Sequence, residues 1–279
     1  MPNTALEQAL ERLLTRLDSC ASVPAVPDWK LVRAARWSAQ AGGLKPILHP
    51  QRVMLKDLLD IDEQKQRVDT NTRQFVAGKP ANNVLLTGAR GGGKSSLVKA
   101  VHGKYAAKGL RLIEVDKAGL PSLPDLFDLL ADADYRFIVF IDDLTFAEHE
   151  VGYASLKAAL DGSLAGPSDN VLIYATSNRR HLMPEYMAEN LATRHAGGEV
   201  HPGEATEEKV SLSDRFGLWV SFHAMDQDTY LAIARHWAIQ LGAPADDAFE
   251  RAALQWSLGR GARNGRVAWQ FARDWAGRQ

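Results

Sequence analysis

The sequence of 279 residues predicts an α/β fold: a five-stranded parallel sheet with helices on both faces, an N-terminal helical extension and a small C-terminal helical unit. Three observations predict this arrangement. Five short apolar runs alternate with helical patterns in the middle of the chain, leucines recur at helical spacing near the N-terminus, and helical patterns follow residue 225. The predicted division is therefore residues 1–48, 49–224 and 225–279.

The five apolar runs have the composition of buried strands. Most of their residues are β-branched or aromatic, and helical patterns separate one run from the next. Strands that are covered on both faces read as continuous apolar runs, so this alternation predicts a parallel sheet between two layers of helices. The runs are residues 84–86, 112–115, 137–141, 171–175 and 218–222.

Apolar residues at helical spacing mark both flanks of the sheet region. Before it, leucines recur between residues 6 and 17, two prolines at 24 and 27 break the pattern, and a short apolar segment follows at 29–37. We interpret the leucine stripe as packing against the protein body, with a partner-binding coil as the alternative, because the stripe is too short for a sustained heptad repeat. After the sheet, helices are predicted at 230–239 and 246–258 and in a final segment that aligns Val267, Phe271 and Trp275.

Composition places the chain among ordinary soluble proteins, with 46% hydrophobic and 24% charged residues. The net charge of −1 gives no electrostatic footprint for nucleic acid or a membrane, although it is compatible with a local basic patch. The single cysteine, Cys20, rules out an internal disulfide. The chain shows no signal-peptide pattern and no apolar run with a length of about eighteen residues, so we expect a cytoplasmic protein.

A phosphate-binding loop is the strongest motif. Residues 88–95 read GARGGGKS, which matches G-x-x-x-x-G-K-[ST] between a predicted strand and a predicted helix. Glycines let backbone N–H groups turn toward phosphate oxygens, Lys94 would reach the β- and γ-phosphates, and the Ser95 hydroxyl would hold Mg²⁺. The alternative is a flexible glycine linker. The predicted nucleotide-binding residues of this loop are Gly88, Ala89, Arg90, Gly91, Gly92, Gly93, Lys94, Ser95 and Ser96.

Two carboxylates follow the third apolar run. Asp142 and Asp143 would stand at the carboxyl end of a buried strand, beside the phosphate loop of a neighbouring strand. We predict that Asp142 helps to hold Mg²⁺ and that Asp143 polarises the attacking water. The alternative is a helix cap, since aspartate is favoured where a strand turns into a helix.

Polar residues elsewhere complete the predicted site. Asn178, which ends the string ATSN after the fourth run, would contact the γ-phosphate or the water, with a simple turn residue as the alternative. Arg215 precedes the fifth run and is predicted to be catalytic. The alternative is a salt bridge with a local acid. Arg266 lies in the first turn of the last helix and would reach the phosphates, and Arg263 competes for that role. Five arginines between residues 260 and 278 are also compatible with a solvated face or a weak nucleic-acid contact.

The order of these motifs resembles that of the AAA+ ATPases, a group of P-loop NTPases: Walker A, Walker B, sensor 1, an arginine before the last strand and a helical lid. Several strings also resemble a bacterial AAA+ family catalogued as a domain of unknown function, over roughly residues 50–225. They are NTRQFVAGKPANNVLLTG, KGLRLIEVDK, FIDDLTF, LIYATSNRRHLMPE and VSLSDRFGLWVSF.

The resemblance implies ATP and Mg²⁺ as ligands, with Arg215 acting on the nucleotide of the next subunit and Arg266 as the sensor 2 arginine. Two departures matter. Relatives usually carry glutamate where this chain has Asp143, which is shorter by one methylene and implies slow hydrolysis. Relatives usually have glycine where this chain has Asp60, in the segment that flanks the adenine.

Three functions are compatible with these motifs. We favour an ATPase that forms a nucleotide-dependent homo-oligomer and remodels a protein or a protein–nucleic acid complex, without membrane involvement. Contacts with that partner are expected through the N-terminal helices or the polar insertion at 184–209. The second function is a nucleotide-switched binding module with little hydrolysis, and the third is a small-molecule kinase, which has no use for an arginine at a subunit edge.

Overall fold

The computed structural model describes residues 26–146, 151–161, 169–178, 194–196, 199–201 and 212–278. The predicted leucine stripe, Cys20 and most of the insertion at 184–209 lie outside these described residues. In the part of the chain that is described, no helix is both long and apolar enough to cross a membrane.

Strands and helices alternate through the middle of the chain, and helices follow. The elements are β1 (Ala34–Ser38), β2 (Gly43–Pro46), α1 (Asp62–Val76), β3 (Val84–Gly88), α2 (Lys94–Tyr105), β4 (Leu110–Val115), α3 (Leu123–Leu130), β5 (Arg136–Ile141), α4 (Val151–Asp161), β6 (Val171–Ser177), β7 (Arg194–Ala196), β8 (Glu199–His201), β9 (Leu218–Phe222), α5 (Gln227–Gln240), α6 (Asp247–Arg260) and α7 (Gly265–Gly277). Short 3₁₀ helices precede α1 and α3, at Leu55–Asp57 and Lys117–Ser122.

Over the described residues, the main sheet has seven strands in the order β2-β1-β4-β5-β6-β3-β9, whereas the sequence predicted five. Each of the five predicted apolar runs lies in one of these strands. Within the described part of this sheet, the pair formed by β1 and β2 is antiparallel and the other pairs are parallel. Strands β7 and β8 form a separate antiparallel pair. Because β3 lies between β6 and β9, chain segments must cross over the sheet, and the helices lie on its faces.

The two additional strands correct the predicted helical extension. Residues 34–46 form a hairpin that pairs with the edge of β4. The sheet therefore begins within residues 1–48, which were predicted to be a helical extension. Ala35 and Trp37 are buried on one face of the sheet, and Ala34 is buried on the other. Arg36 points outward and pairs with Glu114 at 2.8 Å. A segment this short carries too few residues to distinguish a period of two from a helical period.

Two hydrophobic clusters cover the two faces of the sheet. Helices α1 and α2 pack on one face through residues such as Val68, Phe75 and Leu97. Helices α3 and α4 pack on the other face through residues such as Phe127 and Leu156. The strands contribute to both clusters, which explains why their sequences are apolar at nearly every position.

The last three helices have a hydrophobic cluster of their own, built around residues such as Tyr230, Phe249 and Phe271. Side-chain caps begin each helix: Asp226 accepts from the Thr229 amide, Asp246 from the Phe249 amide and Asn264 from the Val267 amide. The sequence therefore predicted three helices here correctly. That they act as a movable lid stays a proposal.

A buried histidine gives the fold a dependence on pH. His102 in α2 is 4% exposed, and its Nε2 donates to the Arg33 carbonyl oxygen at 2.9 Å. Burial lowers the pKa of His102 from 6.5 to about 4. Between these two values the unfolded chain binds a proton that the folded chain does not, so stability falls as the pH falls.

We expect His102 to cost the fold up to about 3 kcal/mol of unfolding free energy between pH 6.5 and pH 4. Urea unfolding at a series of pH values should therefore show a shallower pH dependence for His102→Gln than for the parent, whatever the absolute stability of the variant. Equal pH dependence in both proteins over this range would contradict the assignment.

Candidate nucleotide-binding site

The sheet order brings the predicted motifs together. Strands β5, β6 and β3 are neighbours and run parallel, so their carboxyl ends meet at one edge of the sheet. The phosphate loop follows β3, the two aspartates follow β5, and Asn178 follows β6. This edge is where open α/β sheets bind their ligands.

Glycines in the phosphate loop are required by its backbone and by its neighbours. Gly88, Gly91 and Gly93 have φ values of +127°, +77° and +95°, in the region that side chains rarely adopt. A Cβ on Gly88 would lie 2.0 Å from the carbonyl oxygen of Phe222 at the end of β9. The loop is therefore closely seated against β9 and is not a flexible linker, the alternative considered from the sequence.

Lys94 begins α2 and is 5% exposed. Its Nζ donates to the carbonyl oxygens of Gly88 and Ala89, at 2.7 and 2.8 Å, and to Asn178 Oδ1 at 3.0 Å. Burial lowers the pKa of Lys94, while the nearby aspartates oppose that shift. Because its three acceptors are neutral oxygens, an anionic phosphate would be a stronger partner for this ammonium group.

Ser95 and Asp142 form the predicted magnesium site. Ser95 Oγ donates to Asp142 Oδ1 at 2.6 Å, which joins the end of β5 to the first turn of α2. Both groups offer the oxygen ligands that Mg²⁺ prefers, and sites of this kind use one or two carboxylates together with substrate phosphates. The described residues contain no group of three or more His, Cys, Asp or Glu that could hold a metal ion.

Asp143 and Asn178 are in direct contact. Asn178 Nδ2 donates to Asp143 Oδ1, while the Oδ1 of the same amide accepts from Lys94. The guanidinium of Arg90 lies 3.9 Å from the other Asp143 oxygen, although both side chains are more than half exposed. Asn178 thus connects the lysine predicted to bind phosphate with the carboxylate predicted to activate water.

The start of α7 reaches the phosphate loop. The Gly265 amide donates to the Gly91 carbonyl oxygen at 3.0 Å, and the Asn264 side chain occupies the space where a Gly91 Cβ would lie. The charge of Arg266 contributes to the lowered pKa of Lys94. By contrast, Arg263 acts on the pKa of Tyr230, inside the C-terminal helical cluster. That Arg266 rather than Arg263 reaches the phosphates stays a prediction.

Arg215 is not part of this group of side chains. It lies before β9, whose far end pairs with the phosphate loop through Gly88 and Phe222, and a five-residue strand spans roughly 13 Å. Its Nε contacts Asp161 at the end of α4. This contact is the local salt bridge considered as the alternative. The catalytic role of Arg215 on a neighbouring subunit stays a prediction.

The unusual Asp60 occupies a position whose backbone favours glycine. Its φ is 59°, a left-handed conformation that aspartate tolerates better than most residues. Asp60 Oδ2 accepts from the Thr229 hydroxyl at 3.0 Å, which links this segment to α5. The next residue, Ile61, lies close to Gly93 of the phosphate loop. The aspartate therefore keeps the left-handed backbone and adds a contact with the C-terminal helices.

Two residues of the site were not predicted. Thr176 appeared only within the string ATSN, yet its hydroxyl contacts both Asp142 and the Asp143 amide. Phe222 lies against the phosphate loop, because β9 pairs with β3. A local pattern contains no signal for either contact, since each depends on which strands are neighbours.

The fold and the phosphate-loop motif together are those of a P-loop protein, and the order of its motifs resembles that of the AAA+ class. More particularly, the chain belongs to the family described as "Protein of unknown function (DUF815)", which matches residues 30–279. The resemblance inferred from the sequence motifs is thereby confirmed. No curated protein has significant sequence similarity to this chain.

Solved structures of RuvB from Thermotoga maritima are similar in fold. A proline-to-glycine variant has 15% identity and a TM-score of 0.53, covering 80% of this chain and 64% of that one. A lysine-to-arginine variant has 14% identity and a TM-score of 0.51, again covering 80% and 64%. This chain thus spans slightly less than two thirds of the RuvB length. At these identities the comparison shows the shared fold alone.

Proposed function

We propose that this protein is an ATPase that couples hydrolysis of Mg-ATP to the remodelling of a macromolecular partner. The observation that carries the proposal is the continuous set of contacts joining Lys94, Ser95, Asp142, Asp143 and Asn178 at one edge of the sheet. Such a set combines a phosphate-binding cation, oxygen ligands for Mg²⁺ and a carboxylate for water in one place.

Each side chain has a distinct part in this proposal. Lys94 exchanges its carbonyl partners for the β- and γ-phosphates. Ser95 and Asp142 would hold Mg²⁺, which when bound neutralises charge on the phosphate oxygens. Asp143 orients and polarises a water for attack on the γ-phosphorus, and Asn178 contacts the γ-phosphate or that water.

Loss of the γ-phosphate would change the contacts of three residues. Asn178 lies at the sheet edge, Arg266 begins the last helix of the proposed lid, and Arg215 of a neighbouring subunit would complete the site. The contact of α7 with Gly91 supports this coupling, because movement of the phosphate loop is transmitted directly to the C-terminal helices. The remodelled partner is a protein or a protein–nucleic acid complex. RuvB, which shares the fold, is described as a Holliday junction branch migration motor.

A second candidate function is a binding module that is switched by ATP and seldom hydrolyses it. The short side chain of Asp143 and its contact with Asn178 favour this alternative. ATP turnover measured against protein concentration distinguishes the two functions. Turnover that rises with self-association supports the remodelling ATPase, and tight binding without turnover supports the switch.

The role of Arg215 has a specific test in mixed oligomers. We expect Arg215→Ala to bind ATP normally but to hydrolyse it poorly, because the guanidinium is needed chiefly as the γ-phosphoryl group departs. Mixing Arg215→Ala with Lys94→Ala should restore part of the activity, since some interfaces then join an intact nucleotide site to an intact arginine. Co-assembly with ATP is first established by light scattering.

Two controls isolate this effect. A mixture of Lys94→Ala with Asp143→Asn should stay inactive, because neither subunit brings an intact nucleotide site. Asp161→Asn removes one local partner of Arg215 while keeping the arginine. Normal turnover by Arg215→Ala, or inactive mixed oligomers, would leave Arg215 as a structural ion pair.

A further inference from the structure

A single buried hydroxyl connects the two acidic residues of the site. Thr176 lies in β6 and is 1% exposed. Its Oγ1 donates to Asp142 Oδ1 at 2.6 Å and accepts from the Asp143 amide at 2.9 Å. The Thr176 carbonyl oxygen also accepts from the Leu144 amide at 2.7 Å. One residue of the neighbouring strand therefore holds three consecutive residues of the turn.

This turn has a backbone that needs such support. Asp143 has a φ of 55°, a left-handed conformation that aspartate tolerates better than most residues but that is less favourable than the right-handed region, so contacts with the surroundings help to hold it. The Leu144 side chain, 1% exposed, anchors the far side of the turn in the hydrophobic cluster. Between these anchors, the Asp143 amide donates to the Thr176 hydroxyl, which holds the backbone of the turn, while the Asp143 carboxylate accepts from Asn178.

Because the Asp143 side chain is short, the backbone geometry of this turn is important for the position of its carboxylate. Aspartate has one methylene fewer than glutamate and hence one rotatable bond fewer with which to correct an error in its backbone. The position of its carboxylate oxygens follows the backbone of the turn closely. On Asp142, Oδ1 accepts from both Thr176 and Ser95, so the same hydroxyl also orients the predicted magnesium ligand.

We propose that Thr176 is a positioning residue for ATP hydrolysis, which sets the geometry of Asp142 and Asp143 through one hydroxyl group. This inference rests on the proposed ATPase function. Thr176 acts through the two aspartates rather than on the nucleotide. Its loss therefore affects the magnesium-dependent steps, while nucleotide binding by the phosphate loop is unchanged.

Thr176→Val tests the proposal because it keeps the shape of the side chain and removes the hydroxyl, and Thr176→Ser keeps the hydroxyl. We expect Thr176→Val to lower kcat by about 10- to 100-fold, as is usual for the loss of an outer partner of a metal site. The KM for ATP should change less than about threefold, and Thr176→Ser should retain most of the activity.

A second measurement follows the metal without relying on turnover. Calorimetry gives the affinity for ATP with and without Mg²⁺. In Thr176→Val the affinity without Mg²⁺ should equal that of the parent, while the gain on adding Mg²⁺ should shrink. Thr72→Val is the matched control, since Thr72 is a fully buried threonine whose hydroxyl contacts Val68 and Tyr174 instead. It should change the melting temperature without changing kcat or the gain from Mg²⁺.

The outcomes separate this inference from the proposed function. If the parent hydrolyses ATP and Thr176→Val matches it in kcat and in the gain from Mg²⁺, Thr176 has no positioning role and the ATPase proposal stands. If the parent binds ATP without hydrolysing it, hydrolysis is overturned and the Mg²⁺ gain alone decides the role of Thr176. A parallel fall in melting temperature, metal-free affinity and kcat would make Thr176 a merely structural residue.

Discussion

Lys94→Ala is expected to abolish nucleotide binding, or nearly so, without unfolding the protein. The variant removes the point charge that compensates the β- and γ-phosphates, and each hydrogen bond to a charged group contributes about 1.5–3 kcal/mol. Loss of two such bonds corresponds to an affinity lower by about a hundredfold or more. Isothermal calorimetry with ATP measures the loss directly.

The fold should survive this substitution. Burial lowers the pKa of Lys94, which means that the charged lysine is less favourable in the folded chain than in water. Lys99→Ala is the matched control, because Lys99 lies in the same helix and its Nζ contacts Gln51, away from the phosphate loop. An ATP affinity equal to that of the parent, in a variant with an unchanged melting temperature, would overturn the assignment of the loop.

Asp143→Asn is expected to bind ATP and to stop hydrolysing it. An amide has nearly the same shape but cannot accept a proton from the attacking water, and loss of a general base usually costs 10²–10⁴-fold in rate, as an order of magnitude. Asp143→Glu, which restores the longer side chain usual in relatives, should maintain or raise the rate. Phosphate release under saturating ATP measures both variants.

Asp116→Asn provides the control for Asp143. Asp116 follows the neighbouring strand β4, and its carboxylate caps a 3₁₀ helix by accepting from the Gly119 amide. This substitution should affect stability alone. If Asp143→Asn hydrolyses ATP as fast as the parent, Asp143 is not the base, and its contact with Asn178 is structural.

Local patterns predicted the elements of this fold that carry a clear apolar run or a clear helical spacing. The five apolar runs all form strands, and the three C-terminal helices lie where the helical spacing placed them. The hairpin at residues 34–46 was missed, because it joins the sheet through pairing with β4, which lies more than sixty residues further along the chain. The alternation of buried and exposed residues in this hairpin results from that pairing, and the hairpin sequence alone does not reveal it.

The candidate site divides in the same way. The residue types that bind phosphate and metal were recognisable from the phosphate-loop motif and from the aspartates after an apolar run. Their roles stay predictions, but the structure brings Lys94, Asp142 and Asn178 into one connected group. That proximity follows from the order β5-β6-β3, which the chain order does not state.

By itself, the sequence determined the class of fold, the phosphate loop and the chemical groups available at the site, because these depend on composition, short spacing and strand periodicity. Only the tertiary structure decided which distant residues touch. It placed Thr176 against both aspartates and Arg215 beside Asp161. These contacts join residues far apart in the chain, and they arise from strand pairing and helix packing, which no local pattern encodes.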